Sequence, residues 1–264
     1  MPLERSYLFV PAERPDRFDK ALASGADRVI VDLEDAVRPE GKEAAREAVA
    51  TWAGRTEAMV RINGLDSPWF ESDVAAIGRG GITRVMVPKA EPDVLRVVRH
   101  ELGPNIEITA LIESVAGLMQ VRKICTESGI ARVAFGNLDF SLDSGVEEAD
   151  RELDPVRLQL ALESRHAGLP APIDGVFPSL ADPSALAVRV ARAKALGFGG
   201  KLCIHPSQIE PVNGGFLPGT EELAWAERVV GAIEAAGGGA VSLDGKMVDR
   251  PVVERARALL AKRR

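Results

Sequence analysis

Cysteine is scarce in this 264-residue chain, with two residues, Cys125 and Cys203, both in apolar stretches. So low a count excludes a disulfide framework, points to a reducing compartment and makes both thiols core residues. Histidine is almost as rare. His100, His166 and His205 show no ligand spacing and have no cysteine partners, which argues against a zinc site. No apolar run approaches the roughly 20 residues needed to cross a bilayer, so a membrane role is set aside. The N-terminus MPLERSYLFVPAERPD lacks a basic region followed by a long apolar stretch and a cleavage site, and a cytoplasmic location is expected. No basic stripe stands out against a net charge of −6, which argues against a nucleic-acid partner. Linkers, repeats and low-complexity tracts are also missing, apart from Gly237-Gly238-Gly239.

What is present is a rhythm. Eight short apolar runs, at 7–12, 29–36, 58–63, 85–89, 106–114, 133–139, 173–177 and 201–205, alternate with helical patterns. Strands alternating with helices in a chain close to the roughly 250 residues of a (β/α)8 barrel predict a single α/β TIM-barrel domain over 1–264. Its strands and helices span 1–205, and 206–264 form a C-terminal extension. Helix starts are expected at Pro15, after Ser67-Pro68, at Asp154-Pro155 and at Asp182-Pro183. Gly25, Gly129, Gly168 and Gly197 are expected to close helices. In the extension, a helix near 219–236 precedes a hairpin around Asp244-Gly245, a pair that favours a type I′ turn, and a last helix starts near Pro251. The extension is too small to fold alone and is expected to pack on the barrel or, preferably, on a neighbouring subunit.

Each run ends on a polar residue: Arg14 just past the first, then Asp32, Glu34 and Asp35, Arg61, Lys89, Glu113, Asp139, Asp174 and His205. In a barrel of this kind the active site lies where the strands end, so these residues form a candidate site. Glu113 and Asp139 end neighbouring strands, and two carboxylates plus water and substrate oxygens are the usual way to hold Mg²⁺. The alternative is that each caps a helix or pairs with a base. Arg61 suits a carboxylate, which its planar guanidinium can grip at two points, or pairs with Asp32 or Glu34. Lys89 faces an anionic substrate or pairs with Glu34 or Asp35; a Schiff base on it is disfavoured by the neighbouring metal pair. Alternation puts Asp32 and Glu34 on one face of the strand and Asp35 on the other, and any of the three can orient Arg61 or metal-bound water. Arg14, beside a helix start, is placed for a phosphate or is a solvated surface residue. Asp249, just before Pro251, reads locally as a helix cap.

Taken together, SYLFVPAERPDRFDKALASGADRVIVDLEDAV, VRING, VMVPKAE, LIES, FGNLDF, KLCIHPSQI and GKMVDRPVVERARALL resemble the citrate lyase beta-subunit-like branch of the HpcH/HpaI aldolase family, in order from Leu8 to Leu260. The resemblance implies a Mg²⁺-dependent, reversible carbon–carbon lyase acting on a 3-hydroxyacyl thioester. It assigns the metal to Glu113 and Asp139, the substrate carboxylate to Arg61, and acid–base work to Asp249 on a C-terminal segment reaching an adjacent subunit. A homotrimer or a multiple of it is therefore expected. CIHPSQI is similar to the free-standing malyl-CoA or citramalyl-CoA lyases, which points to a coenzyme A thioester. Thioester hydrolysis needs the same metal and carboxylate grip and stays open. A non-catalytic binding subunit is disfavoured because Arg61, Glu113, Asp139 and Asp249 are all retained.

Overall fold

Tyr7, Ile30, Met59, Met86, Leu111, Ala134, Ile173 and Leu202, one from each of eight strands, meet in a single buried layer. That layer fills the inside of a closed all-parallel barrel in the order β1 to β8. The strands are Ser6–Pro11, Arg28–Asp32, Met59–Arg61, Arg84–Val87, Glu107–Ile112, Ile130–Phe135, Ile173–Asp174 and Gly200–Cys203, and β1 closes on β8 through Ser6 and Lys201. The structure, a computed structural model, describes residues 4–52, 57–148, 151–237 and 240–263. Gly238 and Gly239 of the glycine triplet lie outside them. Helices α1 to α6 are Phe18–Leu22, Lys42–Trp52, Phe70–Gly80, Pro92–Leu102, Val115–Met119 and Val121–Ile124. Helices α7 to α12 are Asn137–Ser144, Asp154–His166, Pro183–Ala195, Ile209–Phe216, Thr220–Ala235 and Arg250–Leu260. The expected TIM barrel is thus present.

The period of two along each strand explains what faces where. Residues two positions beyond the core layer, Phe9, Asp32, Arg61 and Glu113, share its inward parity and crown it at the strand ends. Residues of opposite parity meet the surrounding helices. Asp174 is one of these, which corrects its place among the candidate site residues. Its carboxylate is buried behind the barrel wall, 2.6 Å from Lys201 Nζ and 2.8 Å from Arg157 Nε of α8. The two cations hold it below the usual carboxylate range despite the opposing effect of burial.

Local signals acted largely as expected. Gly25, Gly129, Gly168 and Gly197 all adopt positive φ, and Asp182 Oδ1 caps α9 by accepting from Ala185 N. Asp154 does not cap. It is the first residue of α8 and pairs with Arg192 instead. Ser67 acts earlier than expected, its hydroxyl accepting from Trp69 N ahead of α3. Cys125 and Cys203 are buried free thiols.

The chain divides into two compact units at Asn213/Gly214. The second has its own small core of Ala226, Val229, Val248, Val253 and Ala256. Its hairpin pairs β9 (Val241–Leu243) with β10 (Lys246–Val248) across Asp244 and Gly245, with φ of 51° and 71°, as a type I′ turn requires. Among the described residues no helix is long and apolar enough to cross a membrane.

Candidate active site

A cavity of about 370 Å³ opens at the C-terminal ends of the strands. Its floor is apolar, from Phe9, Leu111, Val176 and Leu202, and its rim carries Asp32, Asp35, Arg61, Glu113 and Asp139. Five of the residues singled out in the sequence therefore meet in one place.

Arg61, the last residue of β3, is the hub. Its Nε and Nη2 donate to Asp32 Oδ1 and Oδ2 at 2.7 and 2.6 Å, a two-point grip on a residue 1% exposed. Nη1 lies 2.9 Å from Glu34 Oε2 and 3.3 Å from Asp35 Oδ2. The expected split of Glu34 and Asp35 onto opposite faces is not seen. β2 stops at Asp32, so strand alternation no longer governs the next residues, and the turn brings all three acids to the guanidinium. Asp32 fixes that turn itself, accepting from Glu34 N and Ala36 N. Arg61 also lies over the Phe9 ring, 5.0 Å from its centre. The alternative pairing of Arg61 with Asp32 and Glu34 is thus realised, and the exposed Asp35 holds the weakest of the three contacts.

Glu113 follows directly on β5 and is buried, with Oε1 accepting from Lys89 N at 2.7 Å. A Cβ at Gly136 would lie 2.6 Å from Glu113 Cβ and 2.8 Å from its Oε2, so only glycine lets this side chain cross toward β6. Asp139 is not at a strand end. It sits in the first turn of α7, exposed, where the partial positive charge of a helix N-terminus favours a carboxylate. Burial raises Glu113 from the usual 4.5 to about 7, with the charges of Asp139 and Asp35 adding to it and the Lys89 N–H and Arg61 opposing. Glu34 is raised to about 8, again chiefly by burial.

These shifts make a prediction. In the metal-free protein both carboxyls hold protons in the folded state at pH values where the unfolded chain has released them. Their contribution to stability is fully present below about pH 4.5 and is lost as pH rises through about 7 and then about 8. Thermal denaturation between about pH 5 and about pH 8 should show a falling Tm, and Glu113→Gln should flatten the slope. An unchanged slope in that variant would contradict the assignment.

The donor set fits a hard cation. Four carboxylates line the cavity, of which Asp32 and Asp35 pair with Arg61 and Glu113 and Asp139 lie beside them. Glu113 and Asp139 together suit Mg²⁺, which keeps several waters and takes one or two carboxylates.

The remaining candidates fall elsewhere. Lys89 is exposed, with no ion pair to Glu34 or Asp35 among the described residues; what it directs at the site is its backbone N–H. Arg14 donates through Nε and Nη2 to Asp16 and lines a second cleft of about 520 Å³ with Arg17, Lys20 and His205. His205 Nδ1 accepts from Ser207 N and caps a short turn. Asp249 is the N-cap of α12, half-exposed, with Oδ1 accepting from Val252 N at a long 3.4 Å.

Sequence reasoning missed the support under the acidic turn. The buried Lys42 ammonium donates to Leu33 O, Glu34 O and Asn63 Oδ1 at 2.6, 2.8 and 2.8 Å. Asn63 in turn donates to the buried Asp73, which also takes Arg46. These residues lie on α2, α3 and the end of β3. Nothing in their spacing announces that they converge.

The chain matches the HpcH/HpaI aldolase/citrate lyase family over residues 5–206. It is 35% identical to a citrate lyase subunit beta-like protein of Deinococcus radiodurans, over 98% of this chain and 97% of that one. It is 31% identical to a (3S)-malyl-CoA thioesterase of Cereibacter sphaeroides, over 98% and 94%. Among solved structures it is similar to CitE of Mycobacterium tuberculosis in complex with magnesium, acetoacetate and coenzyme A, with 34% identity, 98% of each chain covered and a TM-score of 0.87. With the eight-stranded barrel and the cavity at its strand ends, these matches place the chain in the HpcH/HpaI aldolase/citrate lyase family, among its citrate lyase beta-like members.

Proposed function

We propose that the protein is a Mg²⁺-dependent lyase that reversibly cleaves a 3-hydroxyacyl-CoA to an acyl-CoA and a 2-oxo acid. One observation carries this reading: Arg61, Glu113 and Asp139 line a single cavity with an apolar floor, in a chain 34% identical over 98% of its length to a protein solved with magnesium, acetoacetate and coenzyme A.

Arg61 binds the substrate carboxylate. Asp32 and Glu34 lock the guanidinium in place, and the substrate takes the position of the exposed Asp35, which holds Nη1 at only 3.3 Å. Glu113 and Asp139 would hold the metal, which would supply Lewis-acid stabilisation of negative charge on the substrate oxygens. Asp249, supplied by a neighbouring subunit, takes the hydroxyl proton as general base. The bond between the hydroxyl carbon and the carbon α to the thioester then breaks, and its electron pair passes to the acyl-CoA as an enolate. The enolate takes up a proton to give acetyl-CoA or propionyl-CoA. Phe9, Leu111, Val176 and Leu202 keep the reacting carbons among apolar groups. The basic cleft of Arg14, Arg17 and Lys20 adjoins Phe9 and Ile204, which line both cavities, and receives the phosphates of the coenzyme.

Arg61→Lys keeps a charge but loses the planar fork. We expect the KM for the 2-oxo acid in the condensing direction to rise at least about tenfold, with the fold retained and Tm lowered by the lost bonds to Asp32. Steady-state kinetics and thermal denaturation check both, and an unchanged KM would leave Arg61 only balancing its acids.

The 31% identity to a malyl-CoA thioesterase favours one second reading, hydrolysis of the same thioester. Incubation with Mg²⁺ and malyl-, citramalyl- or citryl-CoA, followed by mass spectrometry, separates the two. Acyl-CoA with a 2-oxo acid supports the lyase; free coenzyme A with intact hydroxy acid supports hydrolysis.

A further inference from the structure

Lys89 and Asp244 alone, among the described non-glycine residues, have positive φ. Asp244 is explained by its type I′ turn. Lys89, with φ of 45°, follows the end of β4 and has no such excuse, since an L-residue adopts this conformation at a cost that glycine escapes. Its hydrogen bonds supply the reason. In an extended strand successive N–H groups point to opposite neighbours. Here two in succession serve the same neighbour: Lys89 N donates to Glu113 Oε1 at 2.7 Å, and Ala90 N donates to Leu111 O at 3.1 Å. The left-handed residue breaks the alternation and turns the Lys89 donor onto the carboxylate.

We propose that Lys89 is a positioning residue, holding Glu113 through its left-handed backbone N–H rather than through its ammonium. With Oε1 occupied, the Glu113 carboxylate presents Oε2 across Gly136, the face that a Cβ at that position would fill. The exposed ammonium makes no hydrogen bond or ion pair among the described residues, so the residue's fixed contribution is its main chain. The inference rests on the metal reading of Glu113. Donors that orient a metal ligand typically contribute a factor of about 10 to 100 in metal affinity.

Titration of the full chain with Mn²⁺, read by electron paramagnetic resonance, tests this without reference to activity. Lys89→Gly removes the ammonium but keeps the N–H and relaxes the backbone, and its affinity should stay within about twofold of the parent. Lys89→Pro has no N–H and cannot reach positive φ, so affinity should fall at least about tenfold. Lys89→Val keeps the N–H while resisting the left-handed conformation, and should fall between the two. It carries the comparison if circular dichroism shows the proline variant unfolded. Loss in Lys89→Gly matching that in Lys89→Val, or equal affinity in all variants, overturns the proposal alone. A parent that binds no Mn²⁺, or Glu113→Gln binding as tightly as the parent, overturns the metal reading and this inference with it.

Discussion

Glu113→Gln should abolish divalent-metal binding and lower turnover at least about a thousandfold, because stabilising charge on substrate oxygens is worth several kcal/mol and each 1.36 kcal/mol is a factor of ten. The substitution isolates charge from shape. Glutamine fills the same space beside Gly136, and its amide oxygen can still accept the Lys89 N–H, so the fold has no reason to change. The metal-free variant should be at least as stable as the parent at neutral pH. In the parent, burial, helped by the charges of Asp139 and Asp35 and opposed by the Lys89 N–H and Arg61, raises Glu113 to about 7, which marks the ionised carboxylate as a burden on the folded state until a cation neutralises it. Mn²⁺ titration, steady-state kinetics and thermal denaturation read the three effects separately. A variant that keeps a tenth of the parent's turnover would remove Glu113 from the chemistry.

Asp249→Asn should lower turnover by roughly the 10²–10⁴ expected for losing a general acid or base. Stability should hold, because asparagine caps a helix about as well as aspartate, and the existing cap on Val252 N is long at 3.4 Å. The two effects separate the local reading from the proposed one: a residue that only caps loses nothing on becoming Asn. Asp249 is proposed to serve the barrel of a neighbouring subunit in a homo-oligomer, a trimer or a multiple of it. Mixing Asp249→Asn with Glu113→Gln, each inactive alone, should then restore activity, since hybrid oligomers contain some sites with both residues intact. No recovery despite demonstrated subunit exchange would contradict the shared site.

The barrel was legible because its signal is periodic. Eight apolar runs and their closing glycines follow from the burial of strands on both faces, and the hairpin from a single Asp-Gly pair. The site was legible only as far as strand parity extends. Asp32, Arg61 and Glu113 continue the inward face and were found; Asp174 has the opposite parity, and its polarity serves a buried ion pair instead. Past the strand ends the turns decide. Glu34 and Asp35 converge on Arg61 although alternation separates them, and Lys89, exposed and of opposite parity to the core residue Met86, turns its backbone N–H to Glu113. Lys42, Asn63 and Asp73 were invisible, because three polar residues on different elements carry no pattern until the chain is folded.

A crystal structure grown with Mg²⁺ and pyruvate tests the central claim most directly. The account predicts one cation in the cavity touching both Glu113 and Asp139, with the pyruvate carboxylate on Arg61 in the place that Asp35 now holds. A cation bound elsewhere, or the two carboxylates held apart by other side chains with pyruvate absent from Arg61, would contradict it.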